Sequence, residues 1–355
     1  MRKKRVVVAL SGGIDSAFSA YLMLESGYEV IGIFLKLFGS EYSGWFSESR
    51  ARKVAEFLKI PFYSLNVREK FEKKVISYFI NSYLKGETPN PCIVCNRYIK
   101  FGYLLNKALE LGGECLVTGH YARIKEENGA WGLFRGVDVE KDQSYFLFPL
   151  LEKPLSKIYF PLGEWRKEKV HQEARKIGIP ALFHESQEVC FLEGMGIQEF
   201  LTKEGGVSIC PGPIITTEGK IVGEHPGVYF FTIGQRRGLK IKLGEPYYIK
   251  EIIPEENKIV IGKREEIYSS IVEAEKVIAD KNFPLKQGDI VEAKIRYLVK
   301  PEKAEVIYWD GRRIRLRFFN PQWAVTPGQA LVLYRDDRVI AGGWIRKGVR
   351  ENENQ

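Results

Sequence analysis

Two strings in this sequence carry residue types at spacings that can do chemistry. The first is Ser11-Gly12-Gly13-Ile14-Asp15-Ser16, directly after the apolar run Val6–Leu10. Two adjacent glycines let the backbone take positive φ and approach a ligand closely. The loop amides and the start of a following helix then face an anion, with the Ser11 and Ser16 hydroxyls beside them. Asp15 can cap that helix or hold Mg²⁺. The Gly-Lys-Ser/Thr ending of a Walker A loop is missing, and so is the G-x-G-x-x-G of a dinucleotide fingerprint. A capped helix start explains a lone Gly-Gly; the whole string at a strand-to-helix junction predicts a phosphate loop.

The second string is Pro89-Asn90-Pro91-Cys92-Ile93-Val94-Cys95-Asn96-Arg97. Two prolines hold an extended loop, and the pattern predicts a helix over Asn96–Leu111. Cys95 then lies at a helix N-terminus, where the dipole favours thiolate, with Arg97 and Lys100 adding positive charge. Cys190 follows in Glu185–Leu192. C-x-x-C is also half of a zinc site, but a ribbon needs a second close pair, and there is none. Cys115, in the apolar run Glu114–Thr118, reads as core; Cys210 has no supporting context. Five cysteines make a disulfide scaffold improbable, so the thiols are expected to stay reduced, as in the cytoplasm. None of the four histidines is spaced as a metal pair.

These residues need elements to position them. Val6–Leu10, Tyr28–Leu35 and Glu114–Thr118 read as strands. Asp15–Ser26, Ser47–Lys59, Arg68–Leu84 and Arg166–Ile177 read as helices. The βαβα order predicts a parallel, Rossmann-like sheet with helices on both faces. Near Gly205 the pattern shifts to short alternating runs: Lys220–Val222, Tyr229–Thr232, Tyr247–Ile253 and Lys258–Gly262. A last alternating block runs from about Ser270 to Arg346, with turns at Gly288, Asp310-Gly311 and Pro327-Gly328. The expected domains are 1–204, 205–269 and 270–355. Arg313, Arg315 and Arg317 alternate with Ile314, Leu316 and Phe318, which puts three guanidiniums on one strand face.

The 355 residues carry 54 Lys+Arg against 45 Asp+Glu, a formal charge of +9. That surplus favours a polyanionic partner. With 45% hydrophobic and 28% charged residues, the chain is neither disordered nor fibrous. No apolar run approaches the ~18 residues of a membrane helix, and Val6–Leu10 is too short for a signal peptide.

The loop string resembles the PP-loop ATP pyrophosphatases, which split ATP between the α and β phosphates. With Asn90–Cys95, Thr118-Gly119-His120-Tyr121-Ala122, Lys141-Asp142-Gln143, the string around Cys190, Gly223–Gly227 and Gln235-Arg236-Arg237-Gly238-Leu239, nearly the whole chain resembles the bacterial tRNA-specific 2-thiouridylases, the MnmA/TrmU family. The resemblance implies an α/β PP-loop domain of the adenine nucleotide alpha-hydrolase type, a small mostly-β central domain and a C-terminal β-barrel that binds tRNA. It implies ATP-dependent 2-thiolation of the wobble uridine of tRNA, with ATP and Mg²⁺ as cofactors. Sulfur would come from a persulfide carrier or cysteine desulfurase. ATP would be held by Ala9, Leu10, Ser11, Gly12, Gly13, Ile14, Asp15, Ser16, Leu35 and Gly119. Cys95 would be the nucleophile and Cys190 the persulfide carrier. Asn90, Pro91 and Cys92 would meet the target base; His120, Lys141, Asp142, Gln143 and Gln329 would contact tRNA.

Two departures qualify this. Cys92 stands where the family often has Asp, and Arg296-Tyr297 is followed by apolar Leu298-Val299. Cys92, Cys95 and Cys190 could alternatively hold a [4Fe–4S] cluster with one open iron. A PP-loop ligase acting on a small molecule, or a non-catalytic RNA-binding module, are the other readings.

Overall fold

Val6, Val7 and Val8 are fully buried in a computed structural model of the chain, at the centre of a five-stranded parallel sheet. The structure describes residues 3–38, 41–183, 189–192, 194–239, 241 and 243–350, without the side chains of 41–46. Glu185–Glu188 of the string around Cys190 lie outside the described residues.

The sheet is built from β1 (Arg5–Ala9), β2 (Glu29–Lys36), β3 (Phe62–Asn66), β4 (Leu116–Val117) and β7 (Ile158–Tyr159), in the order β3-β2-β1-β4-β7. Strands covered on both faces need continuous apolar runs, which Val6–Val8 and Val30–Phe34 supply. The order reverses at β1, because β2 lies to one side of it and β4 to the other. That switch point opens a crevice at the strand ends. Helix α1 (Ile14–Glu25) follows β1, and α2 (Glu41–Phe57) follows β2.

Four sequence expectations are corrected. The helix expected from Asn96 begins at Pro91, because proline at the first helical position loses no hydrogen bond there. β3 was not anticipated; its burial is only partial and its pattern weak. Residues expected to be loop after β4 form a hairpin, β5 (Ala122–Glu127) with β6 (Ala130–Arg135). Tyr229–Thr232 is not a strand: Val228–Phe230 form a single 3₁₀ turn.

A second sheet has the order β10-β11-β8-β9, from β8 (Gly212–Thr216), β9 (Ile221–His225), β10 (Tyr248–Ile253) and β11 (Lys258–Gly262). The C-terminal strands are β12 (Tyr268–Ala279), β13 (Ile290–Lys294), β14 (Glu302–Trp309), β15 (Arg313–Trp323), β16 (Ala330–Arg335) and β17 (Arg338–Val349). Antiparallel pairing in the order β12-β15-β14-β13-β16-β17, with β17 returning to β12, closes a six-stranded barrel. Closure removes the open edges that would template aggregation. The β5–β6 hairpin joins this sheet through Arg338 opposite Phe134.

The barrel and the parallel sheet share one core. Val7, Ile33, Phe101, Tyr145 and Phe148 pack in the same cluster as Ala330, Val332, Tyr334 and Val339. The Tyr145 hydroxyl donates to the Ala330 carbonyl (2.9 Å) and accepts from the Ala330 amide (3.1 Å). The barrel is thereby docked onto the nucleotide domain by buried, fully partnered polar groups.

Arg313, Arg315 and Arg317 do alternate with buried Ile314, Leu316 and Phe318. Each guanidinium faces a carboxylate: Asp310 at 2.9 Å, Glu273 at 2.8 Å and Glu305 at 3.4 Å. The face is mixed in charge, not a bare cationic stripe.

Candidate active site

The phosphate loop turns at Gly12, where φ is +82°. A side chain there would also meet Arg50 Cβ and the Ser47 carbonyl at 3.0 Å, so the position suits glycine twice over. Ser16 Oγ ties the loop together: it donates to the Gly13 carbonyl (2.9 Å) and accepts from the Ser11 amide (3.1 Å). Leu182 braces the loop from outside, giving its amide to the Gly12 carbonyl and its carbonyl to the Ile14 amide. Ala9 ends β1, the buried Leu10 follows it, and Leu35, next to the end of β2, pairs with Leu65. These expected ATP residues therefore line one end of the sheet.

Gly119 comes to the same place from β4. A Cβ there would lie 2.8 Å from the Asp15 carbonyl carbon and 2.9 Å from the Ser16 amide nitrogen. The loop after β4 thus touches the start of α1 backbone to backbone.

Asp15 is not a helix cap. Its carboxylate accepts from Lys167 Nζ at 2.7 and 2.6 Å and from the Tyr121 hydroxyl at 2.8 Å. Lys167 is 7% exposed and opens the helix Lys167–Ile177. The sequence reading missed Lys167. Its signal was a cation in the first turn, where the helix dipole disfavours positive charge. Mg²⁺ carried on phosphates needs one or two protein carboxylates, and Asp15 offers one if Lys167 gives way.

The cysteines gather one strand-end away. The helical segment 91–110 consists of Pro91–Cys95, a π-helical run Asn96–Leu104, and Leu105–Glu110. Cys92 is in its first turn and exposed; Cys95 is a turn further on and buried. Cys190 is exposed, on the loop whose Phe191 packs beside Cys95 in the apolar cluster of Phe71 and Phe79. The three sulfurs are close enough to act on one another's ionisation.

That ionisation corrects the expectation of a low-pKa thiolate at Cys95. Burial pushes the Cys95 thiol up to about 12; desolvation of the sulfur also raises Cys190 and Cys92, although both residues are exposed overall. Desolvation outweighs the helix dipole because Cys95 lies inside the helix packing and not at its first turn. Lys100 opposes the shift at all three. Among the described residues no group of three or more His, Cys, Asp or Glu is placed to hold a metal ion. The three thiols do not fit a cluster as they stand.

His120 is half-buried, and its Nδ1 lies 2.6 Å from Thr118 Oγ1. Gln143 clamps the same loop: its Oε1 accepts the Tyr121 amide at 3.1 Å, and its own amide donates to the Tyr121 carbonyl at 2.8 Å. Asp142 is buried, accepting from the Gly136 and Ser144 amides and the Ser144 hydroxyl. Asp142 and Gln143 therefore build the loop. Lys141 is half-buried beside them.

Asn90 and the buried Pro91 lead into the cysteine helix without a side-chain cap. Gln329 of the barrel donates to the Thr88 carbonyl at 2.9 Å, and the Thr88 amide donates to the Pro327 carbonyl at 2.8 Å. Thr88 Oγ1 also meets Thr232 Oγ1 of the central region at 3.1 Å. The segment entering Asn90-Pro91-Cys92 is thus held by all three parts of the chain.

Residues 4–194 match the family model described as tRNA methyl transferase HUP domain, 198–263 the tRNA methyl transferase PRC-barrel domain, and 272–345 the Aminomethyltransferase beta-barrel domain. The chain is 45% identical to tRNA-specific 2-thiouridylase MnmA of Carboxydothermus hydrogenoformans, over 97% of this chain and 98% of that one. It is 40% identical to tRNA-specific 2-thiouridylase MnmA 1 of Clostridium tetani, over 97% of each chain. It is also 40% identical to MnmA 1 of Caldanaerobacter subterraneus subsp. tengcongensis, over 98% of this chain and 99% of that one.

Proposed function

Because this chain belongs to the tRNA-specific 2-thiouridylase MnmA family, we propose that it converts the wobble uridine of tRNA to 2-thiouridine at the expense of ATP. The observation that carries this reading is the loop Gly119–Tyr121. Gly119 and Tyr121 touch the phosphate loop, and His120 reaches the lysine beside the thiols. One three-residue segment couples the two centres that the reaction needs.

A uridine C2 oxygen leaves poorly. Attack of that oxygen on the α-phosphorus of ATP expels pyrophosphate and makes AMP the leaving group. The loop amides and the N-terminus of α1 would hold the phosphates. Asp15 would hold Mg²⁺, which neutralises phosphate charge when bound.

Exposed Cys190 suits receipt of a persulfide from an external carrier. Its terminal sulfur attacks C2 and AMP leaves. Cys95 then attacks Cys190 Sγ; the S–S bond to the tRNA breaks, the sulfur stays on C2, and a Cys95–Cys190 disulfide forms. A dithiol reductant supplies two electrons to restore both thiols. Buried Cys95 suits this resolving step, since it must meet Cys190 and not the base. Gln329, His120 and Lys141 are the proposed tRNA contacts, with Asn90, Pro91 and Cys92 beside the target base. A cytoplasmic setting would keep the thiols reduced; no helix of the described residues is long and apolar enough to cross a membrane.

Mass spectrometry of tRNA nucleosides after incubation with ATP and a persulfide donor tests the proposal. Expected are 2-thiouridine, AMP and pyrophosphate, all dependent on tRNA. ADP as the main product, or pyrophosphate release that ignores tRNA and follows a small molecule, would overturn it.

A further inference from the structure

Two tyrosines of the cysteine helix are matched by two lysines of the helical run beside it. Tyr98 and Tyr103 are five residues apart in the π-helical stretch Asn96–Leu104. In an α-helix they would be rotated by about 140° from one another. The i→i+5 repeat of a π-helix stacks them on one side instead. Lys70 and Lys74, four apart on the run 68–84, also share a face.

The contacts align the two pairs rung by rung. Lys74 Nζ lies 5.4 Å from the centre of the Tyr98 ring, and Lys70 Nζ 5.2 Å from the centre of the Tyr103 ring. Arg97 also lies over Tyr98 at 5.2 Å, and Lys107 over Tyr103 at 5.9 Å. These cations differ in what else they meet. Arg97 pairs with Glu152 at 2.8 Å and Lys107 with Glu110 at 2.5 Å. Lys70 and Lys74 are exposed, and among the described residues no carboxylate pairs with either. A lysine held over a ring is preordered, so it loses less freedom on taking up an anion.

The rungs form the solvent rim of the helix pair that buries Cys95. Phe71 and Val75, next in the chain to Lys70 and Lys74, pack with Cys95, Ile99 and Phe191 in one apolar cluster, with Tyr103 at its edge. Tyr98 follows Cys92 by six residues, a rise of about 9 Å along the helix. A protein partner is recognised by an apolar centre inside a polar rim. Here Phe71, Val75 and Ile99 are each 1% exposed, so no such centre is offered. Unpaired ammoniums at a regular spacing fit the phosphates of a nucleic acid strand.

We propose that Lys70 and Lys74, preordered by Tyr103 and Tyr98, are phosphate contacts for the RNA strand flanking the target uridine, and that they seat the base over the cysteines. The identity of that RNA rests on the proposed thiolation, but its binding can be read without ATP or sulfur.

The test measures binding of an unmodified tRNA transcript, and of its isolated anticodon arm, to the full chain over a range of salt. In Lys70→Gln with Lys74→Gln the slope of log Kd against log salt should fall by roughly 1.4 to 1.8, the loss of two phosphate contacts. Replacing both by Arg should keep the parent slope. A control pair, Lys53→Gln with Lys59→Gln, removes two exposed lysines where α2 runs towards β3, at the far end of the sheet. Its slope should stay at the parent value. An unchanged slope in the Lys70/Lys74 variant would overturn the proposal, as would an equal fall in the control pair. A fall seen with whole tRNA but not with the anticodon arm would overturn the placement beside the target base. An unchanged slope with slower sulfur uptake from a protein persulfide donor would assign the rim to that donor, against this proposal. A parent protein that binds tRNA with the Lys70/Lys74-dependent slope yet forms no 2-thiouridine would defeat the proposed function and leave this inference standing.

Discussion

Lys167 reaches across the sheet end to Asp15 and donates to both of its carboxylate oxygens, at 2.7 and 2.6 Å. The pair joins the start of α1 to the start of a helix far along the chain. Tyr121 completes it, donating to the same carboxylate. A phosphate loop whose acid is matched by a buried lysine is electrically balanced before any nucleotide arrives.

Breaking that pair should cost both stability and activity. Lys167→Met leaves Asp15 without its cation, and Asp15→Asn leaves Lys167 buried and uncompensated. Because Asp15 is about a third exposed, a loss of about 2 kcal/mol is expected, below the 3–5 kcal/mol of fully buried pairs. Tm and denaturant midpoints measure it. Asp15→Asn should also abolish tRNA-dependent pyrophosphate release; retained release would remove Asp15 from the nucleotide site.

Gly119→Ala should be more harmful than one added methyl suggests. The new Cβ would press on the Asp15 and Ser16 backbone. The loop must shift, and a displacement of about 1 Å at a phosphate site can cost about 10²-fold in rate. ATP–pyrophosphate exchange should fall by that order while circular dichroism stays native. Wild-type exchange in the variant would mean that the two loops are free to part.

The sulfur path should divide the cysteines. Cys95→Ser and Cys190→Ser should lose persulfide-dependent thiolation, whereas Cys115→Ser and Cys210→Ser should retain it. An active Cys190→Ser with a dead Cys210→Ser would reverse the assignment.

The pH dependence follows from the raised thiols. A thiol pushed up to about 12 or 11 is neutral near pH 7, and its thiolate fraction rises about tenfold per pH unit. Single-turnover formation of the Cys95–Cys190 disulfide should therefore accelerate from pH 6.5 through 9 without levelling. A plateau below pH 7.5 would show a low-pKa thiolate after all.

Replacing Arg313, Arg315 and Arg317 together by Ala tests the mixed-charge face. Three free phosphate contacts would change the slope of log Kd against log salt by roughly 2 to 3. Since each guanidinium already faces a carboxylate, a change below about 1 is expected. A change near 3 would mean that tRNA displaces all three partners.

The sequence alone determined the parts whose signals are local. Val6–Leu10 running into Ser11–Ser16 identifies a strand, a phosphate loop and a helix, because apolar run, glycine pair and helix start are neighbours in the chain. The alternation of Arg313–Phe318 identifies a half-buried strand for the same reason. Other features required the tertiary structure, because their causes are distant in the chain. Whether Cys95 is a ready thiolate depends on how deeply helix 91–110 is packed, and burial overrode the dipole that the sequence suggested. Arg97 and Lys100 are equally cationic in the sequence; Glu152 pairs with the first, and the second meets His120 instead. Lys167 gains its meaning only from Asp15, which folding places within hydrogen-bonding distance. Local pattern sets which backbone forms, but the charge state of a buried group is set by everything that surrounds it.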